Sequence, residues 1–230
     1  MSLPKGLEPT GIILLDKPAG RSSFSLVAET RRMTGARTGH AGTLDPFATG
    51  LLLVLSGRAT KLAARFVGLD KRYLTEIDLT ARTSTGDPEG EEIDAHDPPL
   101  PDELAASLEG LRGDVELPIP AASAVKIGGE RAYRLHRRGV TVEMPVRRST
   151  VHRLTLVGYA EGVATLDLRV SSGTYVRAVA DVLGGHCRSL RRLEVGPFSV
   201  DEADPGRVVP VADALARIAA GSIAAHGDAL

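Results

Sequence analysis

The chain has 230 residues, 43% hydrophobic and 25% charged, a soluble globular composition long enough for one large domain or two small ones. A single cysteine, Cys187, excludes a disulfide framework and a thiolate metal cage, and it fits a reducing, cytoplasmic setting. The formal net charge of −1 announces no bulk polycation, and no apolar run is long enough to span a bilayer. The opening "MSLPKGLEPTG" lacks the basic-then-apolar pattern of a secretory leader.

In chain order, "GIILLD" (11–16) reads as a strand ending in the turn "KPAG". Ser22 and Ser23 offer N-caps for a helix over "FSLVAETRRM", stopped near Gly35. "GHAGTLDPFATG" (39–50) reads as a loop, "LLLVLS" (51–56) as a buried strand and "ATKLAARFV" (59–67) as a helix. "YLTEIDLT" (73–80) alternates like a half-buried strand. From Asp87 to Glu116 eleven acids face one basic residue, Arg112, in a stretch that starts as loop and holds a helix over "DELAASLEGL" (102–111). "SAVKI" reads as a strand, "ERAYRLHRR" as a short basic helix, and two strands follow near 140–157 and 163–171. "TYVRAVADVL" (174–183) is helical, "SLRRLEV" is a strand and "VVPVADALARIAAGS" is a C-terminal helix. Strands and helices mix without a strict βαβ rhythm, which predicts an α+β fold with a largely antiparallel sheet.

Charge is distributed unevenly. From Arg131 to Arg153 seven arginines and two histidines face one acid, Glu143, so a basic face could hold a polyanion while the acidic stretch points away. Solvated surface charge of both signs explains the same pattern. No Gly-rich phosphate loop, metal-spaced His pair or G-x-S-x-G elbow occurs, so a carboxylate is the expected nucleophile or base if the chain is an enzyme. Asp45, between Leu44 and Pro46, sits in a stiff turn, although Asp-Pro is also a common turn starter.

The stretches "LLDKPAGRSS", "GHAGTLDPFATGLL", "DKRYL", "SSGTYVRAVADVLG" and "LRRLEVGPF", in that order, resemble the bacterial tRNA pseudouridine synthases of the TruB type over residues 10–198. The resemblance implies a pseudouridine-synthase catalytic domain over 1–198, with a basic RNA-binding insert at about 119–150 and a short helical tail over 199–230. It also implies isomerisation of a uridine in the T loop of tRNA on a base flipped out of its stack. Asp45 matches the family's catalytic aspartate, Arg177 the arginine paired with it and Tyr73 the tyrosine that stacks on the flipped base. Tyr175 matches a second tyrosine of the pocket and Leu190 an apolar wall. His40 matches a residue that stabilises the RNA loop once the uridine has left, without carrying a proton. Lys17 and Pro18 match a stretch that supports the catalytic loop and lies near RNA, which makes Lys17 a substrate-binding candidate.

Lys126, Arg131, Arg134 and Arg137 are the candidates for gripping T-arm phosphates. In "IPAASAVK", Ile119 and Ala122 stand where relatives often carry a proline and an aromatic, which bears on packing under the insert. The stretch after "VGPF" is too short for the PUA domain that many relatives carry. No metal or organic cofactor is expected, the tRNA T arm is the expected partner, and the protein is expected to be a monomer with no obligate protein partner. Two other functions fit part of the pattern. A tRNA-binding folding chaperone would not need Asp45, Tyr73 and Arg177 together. A carboxylate-based glycoside hydrolase would call for a second acid, for which Glu76 and Asp78 qualify by type alone.

Overall fold

The computed structural model describes residues 10–227. Most of the opening "MSLPKGLEPTG" and the last three residues of the C-terminal tail lie outside that range. The chain divides into two compact units, residues 1–73 with 191–230 and residues 74–190.

The chain opens with strand β1 (Gly11–Lys17), helix α1 (Ser23–Thr34), the short strand β2 (Thr38–His40) and strand β3 (Thr49–Ser56). A 3-10 turn (Gly57–Leu62), helix α2 (Ala63–Val67) and strand β4 (Lys71–Asp78) follow. Next come β5 (Ala81–Thr83), β6 (Glu92–Ala95), α3 (Pro101–Gly110) and β7 (Gly113–Pro118). Two-residue strands β8 (Lys126–Ile127) and β9 (Glu130–Arg131) lead into α4 (Ala132–Arg137). The long strand β10 (Val146–Ala160), β11 (Val163–Val170), α5 (Val176–Val182), β12 (His186–Val195), β13 (Phe198–Ser199) and α6 (Val211–Gly227) complete the chain.

In the first unit β1 and β3 pair antiparallel, from Gly11 opposite Ser56 to Lys17 opposite Gly50. Both strands are buried on both faces, which is why they read as unbroken apolar runs rather than alternating ones. Ile12, Leu14, Leu51, Leu53 and Leu55 pack on one side with Phe66, Phe198, Val209 and Ala214, and Leu215 and Ile218 of α6 lean on that cluster. Ile13, Leu15, Leu52 and Val54 meet Leu26 and Val27 of α1 on the other. Helix α1 starts because the Ser22 hydroxyl accepts from the Ser25 amide at 3.1 Å, and it stops at Gly35 in the left-handed region (φ 64°). The expected helix over 59–67 instead begins as the 3-10 turn. There the Thr60 hydroxyl donates to the Gly57 carbonyl at 2.8 Å, a local side-chain bond that competes with regular helix.

The C-terminal half of β12 runs parallel to β3, with Arg192 opposite Gly50. Gly50 is required there: its φ is 102°, and a Cβ would collide with the Arg192 main chain.

In the second unit β10 pairs antiparallel with β11 on one side and with β7 on the other. The β10–β11 hairpin turns through Glu161 and Gly162, both at positive φ, as a two-residue loop demands. Strand β11 alternates strictly, burying Ala164, Leu166, Leu168 and Val170. Strand β7 arises inside the acidic stretch and was not expected. Its register sets Glu116 opposite Arg148 and Asp114 opposite Thr150. The acidic stretch is therefore not segregated from the basic one: Glu116 lies 3.6 Å from Arg148. Among the described residues no helix is long and apolar enough to cross a membrane.

Candidate active site

Residues 41–48 are a loop inserted between β2 and β3, entered where the Ala41 amide donates to the Leu53 carbonyl at 2.9 Å. At its tip Asp45, Pro46, Phe47 and Ala48 form a turn closed by the Ala48 amide on the Asp45 carbonyl at 3.2 Å. Asp at the first position and Pro at the second are the residues such a turn favours, since proline presets φ. Asp45 is partly exposed at that tip.

The loop backbone is fixed from several directions within the first unit. The buried Ser23 hydroxyl donates to the Leu44 carbonyl at 3.0 Å and accepts from the Leu44 amide at 2.9 Å. Lys17, fully buried, donates its ammonium to the carbonyls of Pro18 (2.9 Å) and Pro46 (3.0 Å). The Gly20 amide adds a second bond to the Pro46 carbonyl, at 2.9 Å. A rigid backbone on both sides of Asp45 spares its carboxylate from reorganising when a reactant arrives.

Beneath the loop lies a cationic layer. Lys71 is 5% exposed and donates to the carbonyls of Val67 (2.6 Å) and Leu69 (2.5 Å). Burial first, then the Arg192 guanidinium, pushes its pKa down to about 8. The same two causes, in the same order, lower the pKa of half-buried His40 and favour its neutral ring. His40 Nδ1 is buried without a hydrogen-bond partner among the described residues. Tyr73 is on the inward face of β4 and 7% exposed.

The other expected residues belong to the second unit. Arg177 is 2% exposed in the first turn of α5. It donates to the carbonyls of Thr85 (2.6 Å) and Ala122 (3.0 Å) and lies 3.6 Å from the Asp87 carboxylate. Asp87 is itself fixed by the Thr85 hydroxyl at 2.5 Å and the Glu89 amide at 3.1 Å. This ion pair escaped the sequence, where Asp87 was one acid of a surface run; its signal is the "STGDP" turn, in which Asp87 can bond its own neighbours. Asp181, one helical turn beyond Arg177, lies 3.8 Å from Arg82.

Tyr175 precedes α5 and its carbonyl accepts from the Ala178 amide at 3.0 Å, while Leu190 is buried on β12. Lys126, Arg131, Arg134 and Arg137 are all exposed on β8, β9 and α4. The Arg134 and Arg137 guanidinium carbons stand 5.9 and 5.6 Å from the Tyr133 ring centre, a stack that stiffens a basic surface. Arg131 donates to the Ala124 carbonyl. Among the described residues no group of three or more His, Cys, Asp or Glu side chains is placed to hold a metal ion.

The first unit carries Asp45 on a backbone-anchored turn, with buried Lys71 and Arg192 beside the loop at Gly42, and the second presents exposed arginines on α4. The fold is shared with a chain of a solved Cbf5-Nop10-Gar1 complex at a TM-score of 0.65 and 24% identity, covering 88% of this chain and 55% of that one. Residues 30–176 match the sequence profile described as TruB family pseudouridylate synthase (N terminal domain). A tRNA pseudouridine synthase B from Mycobacterium sp. (strain KMS) is 42% identical over 208 residues, 85% of this chain and 70% of that protein. The tRNA pseudouridine synthase B of Thermobifida fusca (strain YX) is 42% identical over 210 residues, 84% and 72% of the two chains. The chain belongs to the TruB family of pseudouridylate synthases.

Proposed function

We propose that the protein isomerises a uridine to pseudouridine in the T loop of tRNA, with Asp45 as the reacting carboxylate. The observation that carries this assignment is the turn at Asp45–Ala48, whose flanking backbone is fixed by Ser23 and Lys17 while Asp45 itself is partly exposed. Such a group is preorganised to attack the base or the sugar, or to stabilise a glycal, once the nucleotide has been flipped out.

Tyr73 provides a ring for the flipped base, and Arg177, held beside Asp87, is the arginine that the family resemblance assigns to the aspartate. Tyr175 and Leu190 shape the pocket, and neutral His40 supports the vacated RNA loop without relaying a proton. Lys126, Arg131, Arg134 and Arg137 hold T-arm phosphates. The protein acts as a monomer in the cytoplasm, without a metal or organic cofactor.

Pseudouridine mapping in tRNA after incubation with the purified protein tests the assignment. Wild-type protein is expected to convert one T-loop uridine. Asp45→Asn is expected to abolish conversion while changing tRNA affinity by less than about tenfold, roughly 1.4 kcal/mol. Substantial turnover by Asp45→Asn removes Asp45 from the chemistry. Release of free uracil would point to hydrolysis instead.

A further inference from the structure

Arg192 lies on β12 and is 1% exposed. Its Nε donates to the Leu51 carbonyl at 2.7 Å and its Nη2 to the Gly42 carbonyl at 3.1 Å. One of these carbonyls precedes Asp45 and the other follows it, so a single planar group joins the two ends of the loop that carries the carboxylate. The main chain of Arg192 adds to the junction, since it faces Gly50 in the parallel pairing of β12 with β3.

This arrangement carries an electrostatic cost that packing alone does not require. A Cβ added at Gly42 would lie 3.6 Å from Arg192 Nη1 and 3.8 Å from Lys71 Cε, so two buried cations share one small space. A buried like-charge pair is unfavourable, and an apolar side chain of similar volume would fill the site without the penalty. Unlike an ammonium, the guanidinium supplies a planar fork whose separate nitrogens hold the two carbonyls in a fixed geometry.

We infer that Arg192 is a positioning residue for the reaction at Asp45, its buried guanidinium setting the span of the loop between Gly42 and Leu51. The inference rests on the assignment of Asp45 to the isomerisation. Lysine at this position keeps the positive charge but replaces the planar fork by a single nitrogen on a flexible stem. Glutamine keeps one donor and relieves the repulsion from Lys71.

The test compares wild type, Arg192→Lys and Arg192→Gln on a T-arm hairpin. Three quantities are measured: thermal stability, RNA affinity, and single-turnover rate at saturating RNA. A positioning role predicts that at least one variant folds and binds the hairpin within about threefold of wild type. Its rate is expected to fall by at least about tenfold, a loss confined to the chemical step. A folded variant that turns over within about twofold of wild type overturns the inference, as does a parallel loss of affinity and rate. Failure of both variants to fold assigns Arg192 to the fold rather than the reaction and overturns it equally. An inactive wild type removes the assignment of function itself, whereas an active wild type beside active, folded variants removes only the role of Arg192.

Discussion

Replacing Ser23 by alanine isolates one anchor of the loop that carries Asp45. The hydroxyl holds both polar groups of Leu44, donating to its carbonyl at 3.0 Å and accepting from its amide at 2.9 Å. Ser23 is 3% exposed and Leu44 is also 3% exposed, so water cannot easily replace the lost partner. Two buried main-chain groups would be left unsatisfied, at about 1–3 kcal/mol each, for a total of about 2–4 kcal/mol once some relaxation is allowed. In a chain of this size each kcal/mol lowers the melting temperature by about 2–4 °C, so a fall of about 5–10 °C is expected by differential scanning fluorimetry.

The same substitution frees the residue next to Asp45. Single-turnover conversion at saturating RNA is therefore expected to drop by about tenfold or more, because a small misplacement of a reacting group has a large effect on rate. RNA affinity should hardly change, since Ser23 is buried. A Ser23→Ala protein that melts within about 1 °C of wild type and reacts at the normal rate would refute the view that Leu44 is held by this hydroxyl.

A second expectation concerns pH. Lys71 has its pKa lowered to about 8 in the folded protein, by burial first and by Arg192 second, with Asp70 opposing them. Between that value and its ordinary value near 10.5 the unfolded chain binds the extra proton, so stability rises with pH across this window. In urea titrations wild type should gain on Lys71→Met as pH climbs from 8 towards 10, and a gap independent of pH would count against it. A third expectation concerns Arg134 and Arg137. Reversing both charges should flatten the salt dependence of hairpin binding, where each phosphate contact contributes a log–log slope of about −0.7 to −0.9. An unchanged slope would remove helix α4 from the RNA interface.

Much of the fold was legible because it is local. The buried strands β1 and β3 appeared as continuous apolar runs, and α1 carried its serine cap and its stopping glycine. Strand β7 was missed although Val115 and Leu117 alternate with Asp114 and Glu116, because charge dominated the segment and only pairing with β10 gives the alternation meaning. β6 is short and fully exposed, so no apolar face marks it. The same contrast holds at the site. Asp45 stood out through the family resemblance, its Asp-Pro turn alone being weakly specific, whereas Asp87 and Arg192 act through groups far away in sequence.

The pair Arg191 and Arg192 shows what a closer use of strand periodicity can recover. Successive strand residues point to opposite faces, and Leu190 is buried, so Arg192 shares the inward side of β12 and Arg191 does not. Arg191 accordingly reaches Asp16 with both terminal nitrogens, at 3.0 and 2.7 Å, while Arg192 turns to main-chain carbonyls. The anchors on the catalytic loop share this character: Ser23, Lys17 and Arg192 all bind its backbone rather than its side chains. A backbone held in this way places few demands on exposed loop side chains. Thr43, two residues before Asp45, is accordingly exposed.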